Sequence, residues 1–246
     1  MFWTPASLRE FIVPTVEFIA LTEEYGSVYD SPIPASKIIP SWWKNKENYM
    51  GGEKKLMEGA VYNKTSKGCV GLLDAMRSGY IFTAPCDIIL EKLDEGYGVS
   101  WKSNLFNHIN FFHPKQGENS GVDLSLFENE YFKFNTDWLV KTPKGYSCLI
   151  QHPMWHDELP FCTLPGIVDT DKFANGMNFP FVVKKGFSGV ISMGTPIAQI
   201  IPFKRENWEH KTILDADKKY FYNSKKSFKV IENSYNRFVH STKSWK

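Results

Sequence analysis

Residues 164–205 read LPGIVDTDKFANGMNFPFVVKKGFSGVISMGTPIAQIIPFKR, and this stretch decides the fold. It opens on a Gly-Ile-Val-Asp-x-Asp turn, Gly166 to Asp171. Runs rich in β-branched and aromatic residues follow at Met177–Val183, Gly189–Met193 and Ile197–Phe203, separated by Lys185-Gly186 and Met193-Gly194. Short runs of this composition, punctuated by turn residues, predict successive antiparallel strands.

The same texture extends back to Tyr80. YIFTAPCDIILEK, GYGVSWK, LFNHINFFH, EYFKF and GYSCLIQH are further strand-like runs, with turns at Asp94-Glu95-Gly96 and Pro143-Lys144-Gly145. No long helical pattern alternates with them, so a doubly wound α/β sheet is excluded in favour of a mainly β barrel or sandwich over 80–203. Residues 1–79 read as an irregular arm plus a short helix that packs on the core. Pro5, Pro14, Pro32, Pro34 and Pro40 interrupt the arm, each fixing φ and removing a donor. Its stretch Ile33–Lys44 carries Trp42 and Trp43 and suits packing on its own domain or a neighbouring chain. Val70, Leu73 and Met76 give 66–78 the spacing of an amphipathic helix, with Gly79 as its cap. Residues 204–246 form a basic tail, 11 Lys and Arg against 5 Asp and Glu. In it Phe228, Ile231, Tyr235 and Phe238 follow a helical stripe.

Composition narrows the class. Of 246 residues, 42% are hydrophobic, 23% charged and 15% aromatic, which suits a globular chain with a large core. The net charge of +2 does not point to nucleic acid. No apolar run reaches the length of a membrane span, and the start lacks the pattern of a signal peptide. Cys69, Cys86, Cys148 and Cys162 include no CxxC pair, so they read as small apolar residues of a reducing compartment. These features predict a cytoplasmic protein, in the host cytoplasm or virion if viral, with no membrane partner and no cofactor.

The Gly-Ile-Val-Asp-x-Asp turn and the Gly-x-x-Ile-Ala-Gln strand at Gly194–Gln199 together resemble the C-terminal half of the dUTPase and dCTP-deaminase superfamily, the β-clip fold. The resemblance rests on Gly166, Asp169, Gly194, Ile197, Ala198 and Gln199. It implies a hairpin that cradles a deoxyribose, a homo-oligomer with sites between subunits, and Asp169, Asp171 and Gln199 as candidate ligand-binding residues for a small hydroxylated ligand. Asp169 is the catalytic candidate. A carboxylate on a tight turn can accept from a hydroxyl or orient a water, and Gln199 offers donors and an acceptor. The Asp residues can equally end a strand by bonding their own turn. Family members that hydrolyse dUTP carry a Ser/Arg-rich phosphate motif ahead of the hairpin. Here that segment reads Cys148–Trp155 without Arg or Ser.

A wider resemblance, carried by Ile39–Lys44, Met76–Tyr80, Lys141–Ser147, Leu164–Asp171 and Gly194–Arg205, is to an uncharacterised family of tailed, T4-like marine phages. It implies a viral origin and no activity.

His108, His113, His152 and His156, with Glu118 or Glu158, raise a metal-dependent cupin-like enzyme as a third reading. The spacing is wrong for it. Asn110 stands where His-x-His needs its second histidine, Cys148 occupies the expected second-motif histidine, and Pro153 keeps His152 and His156 off one helix face. No metal is therefore expected. The leading expectation is a phage-type accessory protein that binds or scaffolds rather than catalyses. The alternative is a nucleotide- or sugar-handling enzyme of dUTPase-like fold using Asp169.

Overall fold

The computed structural model describes residues 13–58, 61–102, 106–117, 121–214, 218–222, 235 and 239–245. In chain order the elements are β1 (Glu17–Ala20), α1 (Glu23–Val28), β2 (Ile33–Pro34), α2 (Ser41–Asn45), β3 (Leu56–Met57), β4 (Val61–Tyr62), α3 (Val70–Arg77), β5 (Tyr80–Thr83), β6 (Ile88–Lys92), β7 (Tyr97–Trp101) and β8 (Ile109–Phe111). Then come α4 (Pro114–Gly117), β9 (Phe127–Asn135), β10 (Trp138–Lys141), β11 (Tyr146–Gln151), β12 (Phe161–Thr163), β13 (Gly166–Val168), β14 (Asn178–Lys184), β15 (Gly189–Ile191) and β16 (Pro196–Lys204).

The protein is mainly β, as the strand-like runs predict. A five-stranded sheet runs β13-β11-β16-β5-β2, a four-stranded sheet β12-β14-β9-β8 and a three-stranded sheet β15-β6-β7. Every pairing is antiparallel, including β1 with β10 and β2 with β5. The N-terminal arm is thus stitched into the sheets through β1 and β2. Trp43 is buried, while Trp42 stays half-exposed and donates from Nε1 to the Trp155 carbonyl at 2.9 Å. The arm packs on its own chain at that point.

Period-two alternation decides which side of each strand is core. On β9, Phe132 and Phe134 point inward while Lys133 and Asn135 point outward; on β14, Phe179 and Phe181 do the same opposite them. The Phe134 and Phe181 rings stack 3.9 Å apart. These rings meet Phe82, Ile88, Leu90, Cys148, Ile150, Phe161, Ile191, Ile197 and Ile200 in one aromatic-rich core. Each ring fully removed from water contributes about 1.5–3 kcal/mol. A bulge between Val182 and Lys184 turns Val182 and Val183 both inward, and another between Pro196 and Ala198 accompanies four consecutive buried residues, Ile197 to Ile200. β16 lies between β11 and β5, and α3 covers it from behind, so both its faces are inside.

The expected helix at 66–78 is α3, with Met76 buried. Gly79 ends it at φ +70, so close to the chain that a Cβ there would lie 1.9 Å from the Ile200 carbonyl oxygen. The short strands β1 to β4 of the arm escape the composition reading, and within 80–203 so do β10 and β12. β12 is only three residues long, and β10 pairs with the N-terminal β1, a partner more than a hundred residues away. Of the predicted C-terminal stripe, Phe228, Ile231 and Phe238 lie outside the described residues, and Tyr235 is exposed. Further on the chain returns to the body. Trp245 meets Tyr80 edge-on at 6.1 Å, and His240 and Lys243 reach Asp74 of α3 at 2.9 and 2.7 Å. Burial pushes the Asp74 carboxyl up, but those two hydrogen bonds outweigh it and hold it below its usual range. No helix among the described residues is long and apolar enough to cross a membrane.

Candidate functional site

The Gly-Ile-Val-Asp-x-Asp segment forms β13 and the turn after it. β13 pairs with β11 through Cys148–Val168, Leu149–Ile167 and Ile150–Gly166. The chain then folds on itself, Lys172 and Phe173 both donating backbone N–H groups to the Asp169 carbonyl at 2.9 Å. Thr170 is buried, its hydroxyl 2.7 Å from that of Thr142. This inward anchor leaves the side chains of Asp169 and Asp171 on the side where β16 ends.

β16 overshoots the start of β11, so that the Arg205 N–H donates to the Gly145 carbonyl at 2.8 Å and the guanidinium lands on the turn. Its Nη1 lies 3.0 Å from Asp171 Oδ1 and its Nη2 bonds Asp171 Oδ2, a two-pronged grip. Nη1 also reaches Asp169 Oδ1 at 3.2 Å, Ser147 Oγ at 2.8 Å and the Tyr146 carbonyl at 2.8 Å. Ser147 Oγ donates to Asp169 Oδ1 at 2.6 Å, and the Gly145 N–H donates to Asp171 Oδ2 at 2.9 Å. The guanidinium, seconded by Gly145, holds the Asp171 carboxyl well below the usual carboxylate range, and Asp171 in turn raises Arg205. Asp171 is therefore always ionised near neutrality and cannot serve as a proton donor. The three charges sum to −1, and Nη1 and Nη2 of the cation are both engaged within the hairpin. A phosphate needs uncommitted donors and positive charge converging on it.

Gln199 sits elsewhere. It pairs with Gln151, at the far end of β11 from Ser147, whereas Asp169 follows the residue paired with Cys148. The two candidates thus lie on strands either side of β11 and about four residues apart along it, roughly 13 Å at the rise of a strand. The expected close approach of Asp169 and Gln199 at a pocket mouth does not occur. The Gln199 side chain is 0% exposed. Its Oε1 accepts from the Met154 N–H at 2.8 Å, and its Nε2 donates to the carbonyls of Ala75 at 3.0 Å and Ser78 at 2.7 Å. Its amide ties α3 and the loop after β11 to the central strand.

The histidines are dispersed and individually engaged. His108 is 1% exposed, with Nε2 3.0 Å from the Tyr29 hydroxyl. Burial lowers its pKa against the opposing field of Asp137. His152 Nδ1 accepts from the Thr163 N–H at 3.2 Å, which leaves Nε2 as the donor to the His156 carbonyl at 3.1 Å; burial lowers this ring's pKa too. His156 meets Glu158 at 3.0 Å, His113 lies on the surface, and Glu118 is outside the described residues. No three His, Cys, Asp or Glu side chains converge on one point among the described residues.

A feature that sequence reasoning missed lies on the outer face of the β12-β14-β9-β8 sheet. A depression of about 360 Å³ is lined by Asn107, Asn110, Asn135, Asn175 and Asn178 and by Asp137, with Lys133, Tyr25 and Phe106 beside them. Register builds it: Asn110 stands opposite Lys133 and Asn135 opposite Asn178. Beyond the strand ends the frame continues. The Thr136 N–H donates to the Met177 carbonyl at 3.0 Å, and the Met177 N–H to the Trp138 carbonyl at 3.0 Å. Gly176 lets the two segments meet, since a Cβ there would lie 2.2 Å from the Thr136 carbonyl oxygen. The sequence signal was faint: asparagines at outward positions of strands whose inward positions are phenylalanine, pooled only when the strands are aligned.

No family model matches the chain, and no curated protein matches it. Among solved structures, a mutant dUTPase from phage phi11 of S. aureus aligns with 82% of this chain and 99% of its own, at 11% identity and a TM-score of 0.36. Another structure of the phage phi11 dUTPase, visualising its species-specific insert, aligns with 45% of this chain and 99% of its own, at 12% identity and a TM-score of 0.24.

Proposed function

We propose that this is a phage-type accessory protein that binds or scaffolds rather than catalyses, working as a homo-oligomer. The observation that carries this reading is the fate of the hairpin charges. Arg205 spends its guanidinium on Asp171, Asp169, Ser147 and the Tyr146 carbonyl. The cation that an enzyme of this kind would aim at a substrate is here bonded to its own hairpin and fastens a turn to two strands. Gln199 likewise serves the interior.

One observation favours the alternative, a nucleotide- or sugar-handling enzyme using Asp169. An arginine does converge on that carboxylate, and Asp169 remains exposed. Incubation with dUTP or dCTP and Mg²⁺, followed by product chromatography, separates the two. No turnover above the protein-free control is expected. Turnover that Asp169→Asn abolishes would establish the enzyme instead. Native mass spectrometry tests the oligomer, for which a single-chain mass at micromolar concentration would be decisive against it.

A further inference from the structure

We infer that the carboxamide-lined depression on β8, β9 and β14 is a binding site for a neutral, polyhydroxylated ring, a carbohydrate. The inference rests on the binding reading above and gives it a site and a ligand class.

The lining carries the chemistry of hydroxyl recognition. Each asparagine presents two N–H donors and a carbonyl acceptor in one rigid plane. A sugar hydroxyl both donates and accepts, so vicinal hydroxyls are matched by carboxamides rather than by charges. Much of this capacity is uncommitted. Asn107 donates to Asn110 Oδ1, and Asn135 donates to the Asn107 carbonyl at 3.3 Å. That leaves the Asn110 NH₂ and the side-chain oxygens of Asn107 and Asn135 without a hydrogen bond among the described residues. Asn175 and Asn178 make no side-chain hydrogen bond to a described residue. Asp137 adds an acceptor for a hydroxyl proton.

Charge and shape exclude the obvious competitors. Asp137 and Lys133 cancel, so no field attracts a phosphate or a polyanion. A single carboxylate with Lys133 beside it leaves the lining without the net negative charge that holds a divalent cation tightly. Phe106, half-buried at the edge of the depression, is the lining residue that can meet the C–H face of a sugar, while Tyr25 is buried in the core behind it. A volume of about 360 Å³ has room for one or two sugar rings. The lining is also preorganised. Three of the amides project from paired strands or their flanks, and the loop ends are locked through Thr136, Met177 and Trp138. Little ordering is required on binding.

The test is a calorimetric or NMR titration of the full-length protein with glucose, galactose, mannose, N-acetylglucosamine and their β-linked disaccharides, to roughly 50 mM, because one ring binds on the order of 1 mM. Saturable binding of at least one probe is expected, weakened tenfold or more by Asn178→Ala and by Asp137→Asn and unchanged by Glu209→Gln, an exposed residue outside the depression. Asn175→Ala, in the loop before β14, provides a further variant should a strand substitution impair folding. Absence of saturable binding by every probe would overturn the inference. So would binding that survives in a folded Asn110→Ala, Asn178→Ala double variant. Either failure is distinct from failure of the binding reading, which only dUTP or dCTP turnover would bring down.

Discussion

Arg205 and Asp171 meet fork to fork: Nη1 on Oδ1 at 3.0 Å and Nη2 on Oδ2, with the carboxylate also held by the Gly145 N–H. The pair closes the end of the five-stranded sheet, joining the first residue past β16 to the turn past β13 across the start of β11. Arginine is required for this because its donors are planar and paired, whereas a lysine ammonium is a point charge.

Arg205→Lys should therefore behave like Arg205→Met, each lowering the melting temperature by about 5 °C, while Asp169→Asn, which loses a single prong, changes it little. Deletion from Trp208 onward keeps the clasp and deletion from Lys204 onward removes it. Differential scanning calorimetry of the two truncations should show the larger loss in the second. Equal melting temperatures would mean that the clasp does not stabilise the sheet.

Gln199→Leu preserves approximate volume but takes away the partner of the Met154 N–H and of the Ser78 carbonyl, while the Ala75 carbonyl keeps the Ser78 N–H at 3.3 Å. A loss of about 2 kcal/mol or more in urea unfolding is expected, at about 1–3 kcal/mol per buried unpaired group. A change below about 1 kcal/mol would show that solvent or rearrangement satisfies those groups.

Acid should destabilise the fold in two stages. Burial lowers the pKa of His108 and His152 from the ordinary 6.5, so below that pH the unfolded chain takes up protons that the folded rings refuse. Stability is complete above 6.5 and falls as the pH drops through 6 toward 5. A second loss begins below the ordinary 3.8 of Asp171, whose folded carboxyl stays ionised longer than the unfolded one. Melting curves from pH 8 to 4 check the first stage, and His108→Gln should flatten it. A melting temperature that rises on acidification from pH 7 to 5 would contradict the assignment.

Gly79→Ala should abolish soluble folded protein. The position combines φ +70 with a Cβ only 1.9 Å from a backbone oxygen of the central strand, and neither the helix end nor β16 can yield. Expression beside Gly145→Ala, which has the same sign of φ but open space around it, separates crowding from backbone strain. Comparable yields for the two would argue that β16 shifts to accommodate the methyl.

The strands that carry the sheets were legible because their composition is local. Phe132 and Phe134, Phe179 and Phe181, and the aliphatics of β16 announce themselves within a few residues. Gln199 was legible as important but misplaced. An amide inside an Ile-Ala-Gln-Ile-Ile run marks a buried hydrogen-bonding need as readily as a ligand contact, and only the position of α3 decides which. Arg205 was read as the start of a basic tail, since nothing near it in sequence reveals that β16 ends beside Asp171. Nothing local in the sequence joins Asn107, Asn110, Asn135 and Asn178, and Asn110 stands out only as the residue in place of a histidine. What groups them is the pairing of β8 with β9 and of β9 with β14, and strand register across such separations is not written in any one segment.

The alternation along β9 has a consequence for how this surface can change over evolutionary time. Phe132 and Phe134 fix the strand against β14 from within, while Lys133 and Asn135 face outward beside the depression, the Lys133 ammonium lying over the Phe112 ring at 4.5 Å. If the depression binds as proposed, substitutions at the outward positions alter what it takes without disturbing the ring stack that holds the sheet. Specificity and foldability are carried by interleaved but separate residues, which makes this face the one best able to diversify among descendants while the scaffold stays the same.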